Sequence, residues 1–257
     1  MTRPPGRFIR QFRLDAEGDG ASDGRYPFTL PAVSQLARSA GITLAPGVTF
    51  LVGENGTGKS TLVEAVAAAA GFNPEGGSRN FRFATRASES SLGERLRLTW
   101  GVHKPRTEFF LRAESFYNVA SEIERLDRDS GGFGRPLLDS YGGVSPHERS
   151  HGESFLDLAV NRFGPEGLYL LDEPEAALSV RGCLALLSRM HELVGQGSQL
   201  LVATHSPVLL ALPGATILEI AEDGTIERVD FDQALPVRLT REFLAAPDRF
   251  LRPLLGD

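Results

Sequence analysis

One eight-residue stretch constrains this chain more than any other. Gly53-Glu54-Asn55-Gly56-Thr57-Gly58-Lys59-Ser60 fills every fixed position of the pattern G-x-x-x-x-G-K-[ST]. Glycines let a backbone curl until successive N–H groups converge on phosphate oxygens. Lys59 then supplies an ammonium for β- and γ-phosphates, and Ser60 a hydroxyl for Mg²⁺. A helix starting at this point adds the positive end of its dipole. The flanks fit. Val48-Thr49-Phe50-Leu51-Val52 reads as a buried strand, and Thr61 opens a helical stretch that runs into alanines. The candidate nucleotide-binding residues are therefore Asn55, Gly56, Thr57, Gly58, Lys59, Ser60 and Thr61. The chain writes its basic residues as Arg 25 times and as Lys only at 59 and 104. One of those two lysines stands where a slim ammonium is needed rather than a guanidinium fork.

Three further segments can complete such a site. Leu168-Tyr169-Leu170-Leu171-Asp172-Glu173-Pro174 is an unbroken apolar run ending in two carboxylates. A strand covered on both faces has this composition. In open parallel sheets ligands sit beyond the carboxyl ends of the strands. Asp172 is a candidate Mg²⁺ ligand there, directly or through water, and Glu173 a candidate general base. Gln199 to Thr204 is a third strand, which places His205 at the same edge as a candidate catalytic residue sensing the γ-phosphate. Ser150-His151-Gly152-Glu153 precedes a helical pattern carrying Phe155, Leu158 and Ala159 on one face. Ser150 and Gly152 are candidates for an anion-binding helix start, although a plain helix cap reads the same way.

The bulk composition is that of an ordinary globule, with 41% hydrophobic and 23% charged residues. No apolar run approaches the ~20 residues of a membrane helix, and the N-terminus carries no secretion signal. The single cysteine, Cys183, excludes an internal disulfide. A cytoplasmic protein without membrane insertion is expected. The net charge of −6 does not advertise nucleic-acid binding, yet residues 76–112 hold eight basic residues against three acidic ones. That surface either meets phosphate or pairs with the chain's own acids. Residues 76–120 are expected to be β-structure, and buried strands alternating with helices from 168 onward predict a parallel sheet.

Taken together, the glycine loop, the Ser150 segment, the Leu-Leu-Asp-Glu-Pro strand and His205 resemble, in this order, the ABC-type ATPase family over roughly residues 45–210. The resemblance implies an α/β P-loop NTPase with a mainly parallel core sheet, flanking helices, an antiparallel β subdomain and a short signature-helix region. One domain would span 1–257. Residues 1–120 would form a β-rich lobe with the glycine loop, 121–165 the signature region, and 166–257 would carry the acid-ended strand, His205 and the C-terminal segment. It also implies ATP and Mg²⁺ as ligands and a head-to-tail homodimer around two ATP. Ser150 and Gly152 would then reach the γ-phosphate in trans, and Ala176-Ala177-Leu178-Ser179 would cross the interface.

The chain departs from the family pattern at several positions. Arg149 and His151 replace a leucine and a glycine of the signature. No glutamine lies between Lys59 and Ser150, so the Mg²⁺-coupling glutamine is missing, with Glu114 as a stand-in. Tyr26 and Phe28 are the candidate adenine-stacking residues. These departures imply slow turnover. Without a coiled coil and with Arg-Ala-Glu-Ser-Phe at 112–116, the chain resembles small stand-alone soluble ATPases of the AAA/SMC-like branch. The expected function is an ATPase coupled to a nucleic-acid or protein partner. The ATP-binding subunit of an ABC transporter is the alternative, and a small-molecule phosphotransferase is a third reading.

Overall fold

The structure is a computed structural model that describes residues 6–15, 24–73, 90–114 and 151–256. Its strands are β1 (Ile9–Leu14), β2 (Ile42–Thr43), β3 (Val48–Gly53), β4 (Leu96–Trp100), β5 (Thr107–Arg112), β6 (Gly167–Asp172), β7 (Gln199–Ala203), β8 (Thr216–Ile220) and β9 (Ile226–Val229). Among the described residues the helices are α1 (Pro31–Arg38), α2 (Lys59–Ala69), α3 (Ser90–Arg95), α4 (His151–Arg162), α5 (Val180–Gly195), α6 (Pro207–Leu210), α7 (Leu235–Ala245) and α8 (Pro247–Leu255).

The core is a six-stranded sheet in the order β5-β6-β7-β3-β8-β9. Its first five strands run parallel and β9 returns antiparallel to β8. The carboxyl ends of β5, β6, β7 and β3 therefore share one edge. A second, antiparallel sheet holds β2-β1-β4. The fold is the mixed α/β arrangement the sequence implied.

Alternation along the central strands explains why they carry apolar residues without a break. Val48, Phe50, Phe109, Leu111, Tyr169 and Leu171 enter a core shared with α4, α5 and α7. Leu51, Phe110, Leu168 and Leu170 face the other way, into a core with α1, α2 and β1. Each face is covered, so every position is buried. Gln199 is the polar exception. It is 1% exposed, accepts from the N–H groups of Phe8 and Ile9, and donates to the carbonyls of Ile9 and Ala45. One side-chain amide thereby fastens the β1 sheet to the core sheet, with its polar atoms satisfied.

The expectation of β-structure over 76–120 holds for β4 and β5 but not for residues 90–95, which form α3. A Cβ on Gly93 would come within 2.6 Å of Ala68 Cβ, so α3 seats against α2 through a position only glycine fills. Residues 115–150 lie outside the described residues, and with them Ser150. So do Arg79, Arg82 and Arg86 of the basic segment.

Candidate nucleotide site

The glycine loop joins β3 to α2 as its pattern requires. Gly53, Gly56 and Gly58 have φ of 152°, 82° and 102°, backbone that residues with a Cβ rarely adopt. Gly53 has a second reason to be glycine: a Cβ there would meet the Ile220 carbonyl oxygen at 2.6 Å. Within the loop, the Thr57 hydroxyl donates to the Glu54 carbonyl at 2.9 Å and Lys59 Nζ donates to the same oxygen at 3.2 Å. Lys59 is 4% exposed. Burial lowers its pKa, while Glu173, Asp172, Glu175 and Glu54 pull it back up. The lysine is thus a desolvated cation in the field of four acids, folded onto its own loop.

Asp172 ends β6, two strands from β3, with β7 between. Its carboxyl is 5% exposed and burial pushes its pKa up to about 6, against hydrogen bonding from Ser60 and the charge of Arg112. Asp172 Oδ1 is buried with no hydrogen-bond partner. An orphaned carboxylate oxygen beside a serine hydroxyl at a helix start suits a hard cation. No cluster of three or more His, Cys, Asp or Glu side chains able to hold a metal occurs among the described residues. A cation here would take its remaining ligands from phosphates and water, as Mg²⁺ prefers.

Glu173 follows in the left-handed region, at φ 47° and ψ 51°. Such backbone costs a non-glycine residue about 1–2 kcal/mol and clusters at functional turns. Its Oε1 lies 3.5 Å from His205 Nε2, and both side chains are more than one-third exposed. His205 leaves the end of β7, the neighbour of β6. The sheet thus brings together Lys59, Ser60, Asp172, Glu173 and His205 from three loops. Gly152 sits elsewhere, on the first turn of α4, where an added Cβ would lie 3.1 Å from the Ala177 carbonyl.

Two further residues take roles at this edge that their sequence context does not reveal. Glu175 accepts from the Thr204 hydroxyl at 2.7 Å and from the His205 N–H, so it fixes the turn that carries His205. Arg112 ends β5 opposite Asp172 and pairs with Glu64 at 2.9 Å. Glu114, the stand-in for the missing glutamine, is exposed and 3.5 Å from Arg112. Of the two aromatic candidates, Phe28 has the Arg95 guanidinium 4.7 Å over its ring, whereas Tyr26 is 62% exposed. Within the basic segment, Arg97 pairs with Asp15 and Arg106 with Glu166. Four of its five described bases thus have partners inside the chain.

No helix among the described residues is long and apolar enough to cross a membrane. The family model described as "AAA domain" matches residues 35–131, a span that contains the glycine loop. No curated protein matches. Among solved structures, the chain is similar to the SMC head domain from Thermotoga maritima, at 15% identity over 86% of this chain and 98% of that one, with a TM-score of 0.44. It is also similar to a bacterial Atm1-family ABC exporter with ATP bound, at 15% identity over 94% of this chain and 44% of that one, with a TM-score of 0.45. The glycine loop thus lies on a central strand of a mainly parallel sheet in a mixed α/β fold, and the AAA-domain match covers that loop.

Proposed function

We propose that the chain binds Mg-ATP at the glycine loop, hydrolyses it slowly, and closes head-to-tail with a second copy around two nucleotides. The observation that carries this reading is the convergence of Lys59, Ser60, Asp172, Glu173 and His205 at one sheet edge. Mg-ATP supplies the scissile phosphoanhydride and a divalent cation that offsets an otherwise acid-rich site. Asn55, Gly56, Thr57 and Gly58 would present backbone N–H groups to the phosphates, with Thr61 following on the first turn of α2. Lys59 would leave the Glu54 carbonyl for the β- and γ-phosphate oxygens. Ser60 and Asp172 would hold the cation. Glu173 would take the proton of the attacking water, and His205 would orient that water.

The dimer reading draws on the α4 start and the turn after β6. A Cβ added at Gly152 would lie 3.1 Å from the Ala177 carbonyl oxygen, so the α4 start lies close to the turn after β6. Beside it, Val180 and Leu184 on α5 are 67% and 53% exposed, one helical turn apart, an apolar strip that a second copy would cover. The coupled partner is read as a protein, because most described bases of the 76–112 segment are engaged within the chain. Light scattering of Glu173→Gln with and without Mg-ATP tests the sandwich. A dimer formed only with Mg-ATP supports it, and a monomer at saturating Mg-ATP refutes it.

A further inference from the structure

Arg112 occupies a position that the nucleotide reading leaves unexplained. It closes β5 directly across the parallel ladder from Asp172. Its Nε lies 3.5 Å from Asp172 Oδ2. Its Nη2 lies 2.9 Å from Glu64 Oε1 and 3.5 Å from Glu114 Oε2. Glu64 belongs to α2, the helix that the glycine loop opens. One guanidinium, 19% exposed, therefore answers three carboxylates from three segments around the cation position.

We propose that Arg112 is a positioning residue that neutralises the Asp172 carboxylate from its Oδ2 side in the nucleotide-free protein and yields it when a metal–nucleotide binds, while keeping its pairs with Glu64 and Glu114. This rests on the reading of Asp172 as a cation ligand. The physics is charge competition. A divalent ion on Asp172 and a guanidinium on the same carboxylate repel at close range in a poorly solvated site. The fork of an arginine carries five donors, and Nη2 already reaches both alternative partners. A small rotation releases Asp172 without leaving the guanidinium unpaired, which would be costly in a buried site. The exchange also draws Glu114 toward Arg112.

If Arg112 only clamped β5 to α2, its loss would loosen the site and weaken metal binding, so the sign of the metal effect separates the two roles. Mn²⁺ binding to the ADP complex, followed by the EPR signal of free Mn²⁺, reads it without turnover. Arg112→Gln removes the competitor, and Mn²⁺ should bind roughly 3- to 10-fold more tightly. Arg112→Lys keeps the charge and should remain near wild type. Glu114→Gln removes an alternative partner of Arg112, leaves the exposed position otherwise undisturbed, and should weaken Mn²⁺ by about threefold. Unchanged or weaker Mn²⁺ binding in folded Arg112→Gln overturns the proposal. Should that variant fail to fold, unchanged Mn²⁺ binding by Glu114→Gln overturns it alone. If the wild type binds ADP by calorimetry but the variants do not shift Mn²⁺ affinity, only this inference falls. If the wild type binds no nucleotide, the nucleotide reading falls with it.

Discussion

Glu175 accepts a hydrogen bond from the Thr204 hydroxyl at 2.7 Å, and so ties the turn after β6 to the end of β7. The same oxygen accepts the His205 N–H, which makes the histidine's position a property of a carboxylate thirty residues earlier in the chain. Glu175→Ala frees that turn. Turnover should fall at least about tenfold while ATP affinity stays within about threefold, because the proposed phosphate contacts lie elsewhere. Each hydrogen bond to a charged group contributes about 1.5–3 kcal/mol, so urea unfolding should show a loss of that order. Glu175→Gln, which keeps one acceptor, should fall between the two.

Glu173→Gln removes the proposed proton acceptor and keeps the volume. Phosphate release should slow by ~10²-fold or more, and ATP should still bind. A variant turning over at the wild-type rate would move the base to another residue.

Asp172 gives the apo protein a pH signature. Its folded pKa is raised from 3.8 to about 6, so the folded state takes up the proton before the unfolded chain does. Protonation thus favours the fold. In EDTA, stability should rise as pH falls through about 6 and level off below about 4. The upper bound is about 3 kcal/mol, at 1.36 kcal/mol per pKa unit. Bound Mg-ADP should reverse the trend, because a cation needs the ionised carboxylate. Asp172→Asn should flatten the EDTA profile in this window. Thermal unfolding across pH, with and without Mg-ADP, checks both halves.

Tyr26 is exposed and Phe28 is engaged by Arg95, and this makes Tyr26 the better platform for adenine. The 28–32 segment lies against the glycine loop: Ala32 N–H donates to the Thr57 carbonyl at 3.1 Å. Stacking contributes about 1–3 kcal/mol per base. Tyr26→Ala should therefore weaken ATP about tenfold, with inorganic triphosphate unaffected. Phe28→Ala should change ATP affinity little and stability more.

The parts legible in the sequence are those written in contiguous residues. The glycine loop specifies its own backbone through Gly53, Gly56 and Gly58, and the unbroken apolar run before Asp172 announces a doubly covered strand. The shared edge followed from the parallel order. What stayed hidden depends on which strands become neighbours. Arg112 reads as one arginine in a basic stretch until β5 pairs with β6, some sixty residues on. Glu175 gains its role only because β7 lies beside β6. Gln199 looks like an ordinary strand start, and nothing local says that its amide fastens a second sheet. Residues 90–95 show the converse. Their helix forms although it holds a glycine at 93, where a Cβ would crowd Ala68 and local propensity is poor.

The most direct test of the account is calorimetric titration of ATP, with Mg²⁺ present, into the wild-type protein and into Lys59→Ala. Saturable binding by the wild type and a loss of roughly 10²-fold or more in the variant are expected, since Lys59 is the cation proposed to turn to the phosphates. Equal affinity in the two proteins would show that nucleotide binds elsewhere, and would contradict the assignment of the glycine loop.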